Sequence, residues 1–423
     1  MKLESLALHH GYTPEAPSRA AAVPIYQTTS YTFDNSQHGA DLFDLKVPGN
    51  IYTRIMNPTT DVLEQRIAAM EGGIAALGVA SGMAAITYAI QCITEVGTNI
   101  VSTSQLYGGT YNLFAHSLPR QGVDVRMVSA DDFDGFEKAI DEKTRAIFCE
   151  SIGNPAGNIV DIKRLADIAH AHGIPLIVDN TVATPCLCRP FEFGADIVVH
   201  SLTKYIGGHG NSIGGVIVDS GKFDWAANKD RFTMLCEPDP SYHGVVYTDA
   251  LGPAAYIGRC RVAPLRNTGA ALSPTNAFLI LQGLETLALR MERHCSNAEA
   301  LAKHLQAHPK VEKVNYAGLA GSPYAETAQK ITGGKASGIL SFELKGGIKS
   351  GMAFIDALEM ILRLVNIGDA RSLACHPAST THRQLNEQEL AAAGVSAGLV
   401  RISAGIEHID DILADVDQAL EKV

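Results

Sequence analysis

No apolar run in the 423 residues approaches the roughly 20 that a bilayer-crossing helix requires. The opening MKLESLALHHGY lacks the apolar core and cleavage site of a signal peptide. A cytoplasmic protein with no membrane partner is therefore expected. Basic residues are also in short supply, 34 Lys and Arg against 45 Asp and Glu, which leaves a formal net charge of −11 and a pI near 5.7. That balance argues against binding nucleic acid or an anionic membrane. Eight cysteines are scattered along the chain without one C-x-x-C pair, and fifteen histidines include no H-E-x-x-H spacing. The cysteines read as small buried hydrophobes, and no metal site is expected. Internal repeats and low-complexity segments are absent as well. What remains is ordinary globular composition, 46% hydrophobic and 19% charged, enough for two or three domains.

Three regions follow from the patterning. Residues 1–60 carry little helical or strand periodicity but many Pro, Thr, Tyr and Gly. Their aromatic and β-branched content is too high for a disordered tail, so an ordered arm lying on a neighbouring subunit is expected. Residues 61–280 alternate short apolar strands with helices, which implies an α/β fold with a mostly parallel sheet covered on both faces. TTDVLEQRIAAMEGG reads as a helix with a Thr cap and a Gly stop. SIGGVIVDSG reads as a returning strand. Residues 220–272, which hold the one tryptophan, Trp225, break this rhythm and read as an insertion, serving as a lid, an interface, or both. Residues 281–423 open on one or two long helices. VEKVNY, GILSFELKG, MILRLVNIG and LVRISAG then read as strands of a smaller C-terminal domain, with a short helix around LNEQELAAAGVSAG and IDDILADVDQALEKV as the closing helix.

The chemistry centres on ADIVVHSLTKYIGGHG. An apolar strand delivers Lys204 between the hydroxyls of Ser201 and Thr203 and a run of glycines. Upstream, IPLIVDNT ends another strand in Asp179. A reactive amine and a fixed acid, each after a buried strand, suit a cofactor whose aldehyde condenses with the amine and whose ring nitrogen is basic. Pyridoxal phosphate fits. The turn Ser81-Gly82-Met83 before a helix offers N–H groups to a phosphate, or else simple capping by Ser81. Tyr107 follows a strand and suits stacking on a ring with its hydroxyl free for proton transfer. Asn154 lies past a strand's C-terminal end, where ligand groups collect in α/β sheets. Arg401, read as lying between a strand and the last helix, suits a substrate carboxylate or an ion pair. Tyr52 and Arg54 are polar handles of the arm. Taken alone, Arg54 suits a surface salt bridge as well as a phosphate.

The stretches YTRIMNPTTDVLE, SGMAAI, LYGGTYNLF, IVDNT, HSLTKYIGGHG, GLETLALRM and LVRISAGIEHIDDILADVDQAL run almost the length of the chain. Through them it resembles the cysteine/methionine-metabolism family of PLP enzymes. The resemblance implies the fold-type I, aspartate-aminotransferase-like architecture with an arm and a smaller C-terminal domain. It implies that Lys204 bonds pyridoxal phosphate covalently, Asp179 pairs with the ring nitrogen and Tyr107 stacks. It gives the phosphate to Ser81, Gly82, Met83, Ser201 and Thr203, with Tyr52 and Arg54 reaching it from the neighbouring subunit of an active dimer, two of which build a homotetramer. Arg401, Asn154 and the backbone near Ser372 would bind the carboxylate of a small amino-acid substrate. NIGDARSLACHPASTTHRQL, the 220–272 segment and Gly109, where methionine γ-lyases place a cysteine, resemble the O-acetylhomoserine sulfhydrylases. The activity this implies is γ-replacement on O-acetyl-L-homoserine by a sulfur nucleophile, giving L-homocysteine and acetate in methionine biosynthesis. The donor would be sulfide or an equivalent, such as a sulfur-carrier protein. The alternative is a methionine γ-lyase or cystathionine γ-synthase type of activity on the same scaffold.

Overall fold

Short apolar runs at regular spacing build the larger sheet. Its strands are β1 (Ala75–Val79), β2 (Asn99–Thr103), β3 (Asp124–Val128), β4 (Thr144–Glu150), β5 (Leu176–Asp179), β6 (Ile197–Ser201) and β7 (Gly215–Asp219). The computed structural model describes residues 1–44, 46–155, 157–380, 383 and 396–423. The strand order is β1-β7-β6-β5-β4-β2-β3. Only β7 runs antiparallel to its neighbours, β1 and β6, as its reading as a returning strand implies. The other pairings are parallel. Side chains alternate across the sheet. Ile147, Val178, Val198 and Val216 enter one core, and Phe148, Ile177, Val199 and Ile217 enter another on the opposite face.

The first 60 residues hold more structure than their composition suggests. Helix α1 (Leu3–His9) and helix α2 (Ser36–Phe43) both lie within them. The first of these docks on its own subunit. Buried Arg66 donates to the carbonyls of Ala7 at 3.1 Å and His10 at 2.9 Å. Helix α3 (Pro58–Glu71) starts at Asn57-Pro58 and not at a Thr cap. The Asn57 side chain accepts the Thr59 N–H at 2.9 Å, and proline fits the first helical position because no N–H is needed there. Gly72, at φ 82°, ends it in the left-handed conformation expected of a glycine stop. Helix α4 (Gly82–Gln91) follows β1.

The 220–272 segment packs against its own domain. Trp225 stacks on Tyr256 at 5.4 Å between centroids, and Phe232, Tyr247 and Tyr256 are fully buried in the second core. Arg261 ties the segment to α3 by a 2.5 Å bond to Glu64, whose other oxygen takes the Gly78 N–H at 2.7 Å.

Helices Pro274–Glu285 and Leu287–Gln306 lead into the second sheet, so the long apolar stretch is two helices. That sheet holds β8 (Val311–Asn315), β9 (Ile339–Leu344), β10 (Leu362–Arg363), β11 (Leu373–Cys375) and β12 (Leu399–Ser403), in the order β10-β11-β12-β9-β8. Strand β10 is only the start of MILRLVNIG, and β11 falls where no strand was expected. The expected helix around residues 385–398 lies, up to residue 395, outside the described residues. The closing helix spans Ile409–Glu421. Among the described residues no helix is long and apolar enough to cross a membrane.

Candidate active site

Three parallel strands end side by side and deliver polar groups to one face. Glu150 of β4 stands opposite Asp179 of β5, and Asp179 opposite Val199 of β6. Alternation places Glu150 with Phe148, Asp179 with Ile177, and Ser201 with Val199, on the face that carries the second core. Burial raises the Asp179 pKa, against the opposing pull of Thr181, whose N–H donates at 2.9 Å, and of His200. Glu150 is held well above the carboxylate range by burial and then by Asp179 itself. Among the described residues neither acid forms an ion pair. A buried acid without a cation is a ready partner for a ligand that brings a positive charge.

Beside them, the start of α4 presses on the end of β6. A Cβ added at Gly82 would fall 2.6 Å from the Ser201 Cβ, so only glycine permits this approach. Ser81 caps the helix, its Oγ accepting the Ala84 N–H at 3.1 Å. The capping reading therefore holds, and it leaves the anion reading open. The N–H groups of Gly82 and Met83 have no partner among the described residues and point out of a ten-residue helix. The Thr203 hydroxyl is 3.2 Å from the Gly214 N–H and 3.3 Å from its carbonyl.

Lys204 lies three residues beyond β6, half-buried. Its Nζ donates to Oδ1 of Asn366 at 2.5 Å. Burial first, and the charge of Arg401 second, push its pKa down to about 8. Arg401 sits in the middle of β12, not between strand and helix, with its strand partners Cys375 and Ser341 on either side. Its Nη1 donates to Asn154 Oδ1 at 3.2 Å and its Nη2 to the Asn366 carbonyl at 2.9 Å. Nε is buried with no partner among the described residues. A buried guanidinium held by neutral acceptors alone is free to take a carboxylate.

Tyr107 adjoins this cluster: its N–H donates to Glu150 Oε1 at 2.6 Å. A Cβ at Gly109 would fall 2.6 Å from the Tyr107 ring, so any side chain there would displace the tyrosine as placed. Tyr107 is 48% exposed. Three expected residues stand apart. Tyr52 and Arg54 face outward, the guanidinium 5.1 Å over the Tyr52 ring, with no contact to Lys204 among the described residues. Ser372 is fully buried and bonded to Glu407 and Gly405 rather than to Arg401. Asn366 and Glu150 were missed. Glu150 was legible in principle, as an acid ending a buried strand just as Asp179 does. Asn366 gave no signal beyond its place in VNIGDARS, because its partner lies 162 residues away.

The sequence profile of the Cys/Met metabolism PLP-dependent enzymes matches residues 4–421. The chain belongs to that family. Similar relatives include the homocysteine synthase of Schizosaccharomyces pombe, 52% identical over 419 residues, 99% of this chain and 98% of the relative. The O-acetyl-L-homoserine sulfhydrylase of Leptospira meyeri is 51% identical over 431 residues, 100% of this chain and 97% of that one. Among solved structures, a putative O-acetylhomoserine (thiol)-lyase from Campylobacter jejuni superposes with a TM-score of 0.96 at 45% identity, covering all of both chains. It holds N′-pyridoxyl-lysine-5′-monophosphate. The fold is thus that of the family, as its resemblance implied. The residues present fit the family cofactor: Gly82 and Met83 N–H groups at a helix start with no partner among the described residues, two strand-ending acids, Glu150 and Asp179, in no ion pair among those residues, and a lysine whose pKa is pushed down to about 8.

Proposed function

We propose that this Cys/Met metabolism PLP-dependent enzyme carries out γ-replacement on O-acetyl-L-homoserine with a sulfur nucleophile, releasing acetate and forming L-homocysteine. One observation carries the reading. A lysine with a depressed pKa and an arginine without a carboxylate partner among the described residues are held by the same residue, Asn366. An amine and a carboxylate clamp that share one neighbour suit an α-amino acid. The full-length relatives with sulfhydrylase and homocysteine synthase names favour this chemistry over the lyase and cystathionine-forming alternatives.

Lys204 would hold the cofactor, Asp179 would face its ring nitrogen and Tyr107 would lie on its ring. Ser81, Gly82, Met83, Ser201 and Thr203 would receive the phosphate. When bound, pyridoxal phosphate supplies an electron sink for charge that develops at the substrate's carbons. Arg401, steadied by Asn154, orients the substrate carboxylate and so fixes which bond at Cα is labile. The Lys204 amine, about half neutral near pH 8, takes and returns protons at Cα and the adjoining carbon. Tyr52 and Arg54 would complete the phosphate site of a second subunit, making the dimer the smallest active unit and a homotetramer its assembly, in the cytoplasm. Residues 1–60 as arm, 61–280 as cofactor domain and 281–423 as C-terminal domain remain the working division.

Purified protein assayed with O-acetyl-L-homoserine and sulfide should yield homocysteine and acetate, and methionine alone should yield little. Fast methanethiol release from methionine without acyl-homoserine turnover would overturn the reading. The Lys204→Ala variant should lose both the imine absorbance and turnover.

A further inference from the structure

Three residues of the site have a sequence neighbour on the reverse face of the sheet. Ser151 follows Glu150, Asn180 follows Asp179, and His200 precedes Ser201. Alternation turns these neighbours away from the active-site face. Glu71, the last residue of α3, gathers them. Its Oε1 takes His200 Nε2 at 2.6 Å and Asn180 Nδ2 at 2.9 Å, and Asn180 Oδ1 accepts the Ser151 hydroxyl at 2.9 Å. The Glu71 and His200 side chains are fully buried. We propose that His200, paired with Glu71, supplies from the reverse face of the sheet the positive charge that keeps Asp179 ionised, and so strengthens the hold of Asp179 on the cofactor's ring nitrogen. The inference rests on Asp179 facing that nitrogen.

The hydrogen bonds fix the charges of the pair. An oxygen that accepts two N–H groups carries no proton, and Glu71 Oε2 is buried with no partner among the described residues to which it could give one. Glu71 is therefore a carboxylate. Among the described residues His200 is the one cation-forming side chain that pairs with it. A buried carboxylate is far less costly with a cation beside it, so the imidazole is held as imidazolium. Its Nδ1 has no partner among the described residues. A buried pair so partly satisfied adds little to stability over apolar side chains of the same size, so its use lies elsewhere.

That use is across the sheet. Asp179 stands opposite Val199, the residue before His200, on the adjacent strand. His200 is the charged side chain that draws the Asp179 pKa down against burial. The other groups nearby bring no free cation. Arg189, beside Gly72, pairs with Glu192 at 2.7 Å, and burial keeps the Cys186 and Cys188 thiols protonated. On the active-site face, Glu150 is held toward its protonated form.

The test uses the full chain freed of cofactor and compares two probes. One is pyridoxal phosphate, and the other is its analogue with C–H in place of the ring nitrogen. Only the first can offer a cation to Asp179, so the ratio of their affinities, read by equilibrium titration, reports the ionised acid apart from every other contact. Wild type should prefer pyridoxal phosphate. His200→Gln keeps an N–H for Glu71 and removes the charge, and should reduce that preference about tenfold, the factor that one unit in the acid's pKa represents. An equal loss of affinity for both probes would mean that His200 only shapes the strand, and overturns the proposal. Should His200→Gln fail to fold because Glu71 is left without its cation, the double variant Glu71→Gln/His200→Gln, which buries no charge, should show the same tenfold drop. An unchanged ratio there also overturns the proposal. A wild-type chain with no preference overturns instead the placement of Asp179 against the ring nitrogen.

Discussion

Glu150 accepts the backbone N–H of Tyr107 at 2.6 Å while standing opposite Asp179 on the neighbouring strand. One carboxyl thus fixes the start of the aromatic loop and neighbours the acid expected beneath the ring nitrogen. Burial and Asp179 hold it toward the protonated form, in which it accepts a hydrogen bond without adding a second negative charge. Glu150→Gln, which keeps the acceptor, should bind pyridoxal phosphate within about threefold of wild type. Glu150→Ala leaves the Tyr107 N–H without its acceptor, a loss of about 1–3 kcal/mol. Titration of the cofactor-free protein should then show affinity reduced by about 5- to 100-fold. Equal loss in both variants would mean that the charge, not the acceptor, matters.

The contact between Gly82 and Ser201 gives a second expectation. A methyl at position 82 would meet the Ser201 Cβ at 2.6 Å and its Cα at 2.9 Å, and both belong to a strand paired on both sides that cannot swing away. Gly82→Ala should therefore push α4 off β6, at about 1–3 kcal/mol in urea unfolding. Cofactor affinity should fall further than stability explains, because the same shift moves the Gly82 and Met83 N–H groups. Inorganic phosphate should protect wild type against thermal unfolding by binding those groups, and should protect the variant less.

How much of this could be read beforehand differs between sheet and site. Two-residue alternation and strand-ending polar residues are local signals, so β1 to β7, Lys204 and Asp179 were legible. The antiparallel run of β7 matches the reading of SIGGVIVDSG as a returning strand. Contacts between distant segments were not legible. Asn366 meets Lys204 only because the β10–β11 loop folds back over the Lys204 turn, and nothing in either segment announces the other. Helix α1 escaped notice because seven residues offer little periodicity, and its docking depends on Arg66, far along the chain. The aromatic content of 220–272 suggested a lid or an interface. The bonds of Tyr256 to the Ala89 carbonyl, at 2.9 Å, and of Arg261 to Glu64, at 2.5 Å, are what tie that segment to its own domain.

Buried His294 should leave a mark on acid stability. Its Nδ1–H donates to the Ala404 carbonyl at 2.6 Å, and Nε2 has no partner among the described residues. Burial pushes its pKa down to about 4, from an ordinary 6.5. Between those values the unfolded chain binds a proton that the fold refuses, so stability falls as pH drops from about 6.5 to about 4. The full effect is about 3 kcal/mol. Asp219, raised to about 7 by burial, acts with the opposite sign across much of that range, losing stability as pH rises. The informative quantity is therefore the difference between wild type and His294→Gln in urea unfolding, which should shrink from pH 7 to pH 4. A constant difference would mean that His294 is protonated in the fold.

Arg290 closes the case for the helix Leu287–Gln306 as the support of the Lys204 turn. It is 5% exposed, has no acidic partner among the described residues, and spends its donors on the Thr286 hydroxyl and on backbone carbonyls. Nη1 reaches Tyr205 at 2.6 Å, and Nη2 reaches Gly283 at 2.6 Å and Ile206 at 3.2 Å. Two of those carbonyls follow Lys204 directly in sequence. An uncompensated buried cation is expensive, and its pKa is pushed down to about 10 by that burial. Arg290→Met removes the charge but strands the Tyr205 and Ile206 carbonyls, while Gly283 keeps the Thr286 N–H, so its net cost should be about 2–4 kcal/mol. Arg290→Lys keeps the charge without the planar fork and cannot serve all three at once. Both variants should unfold at lower urea, and the survivors should form the imine with pyridoxal phosphate more slowly than wild type. The depressed amine pKa should persist, since Asn366 and Arg401 set the surroundings of Lys204 from the other side. A variant that lost stability yet formed the imine at the wild-type rate would show that the turn holds its shape without the arginine.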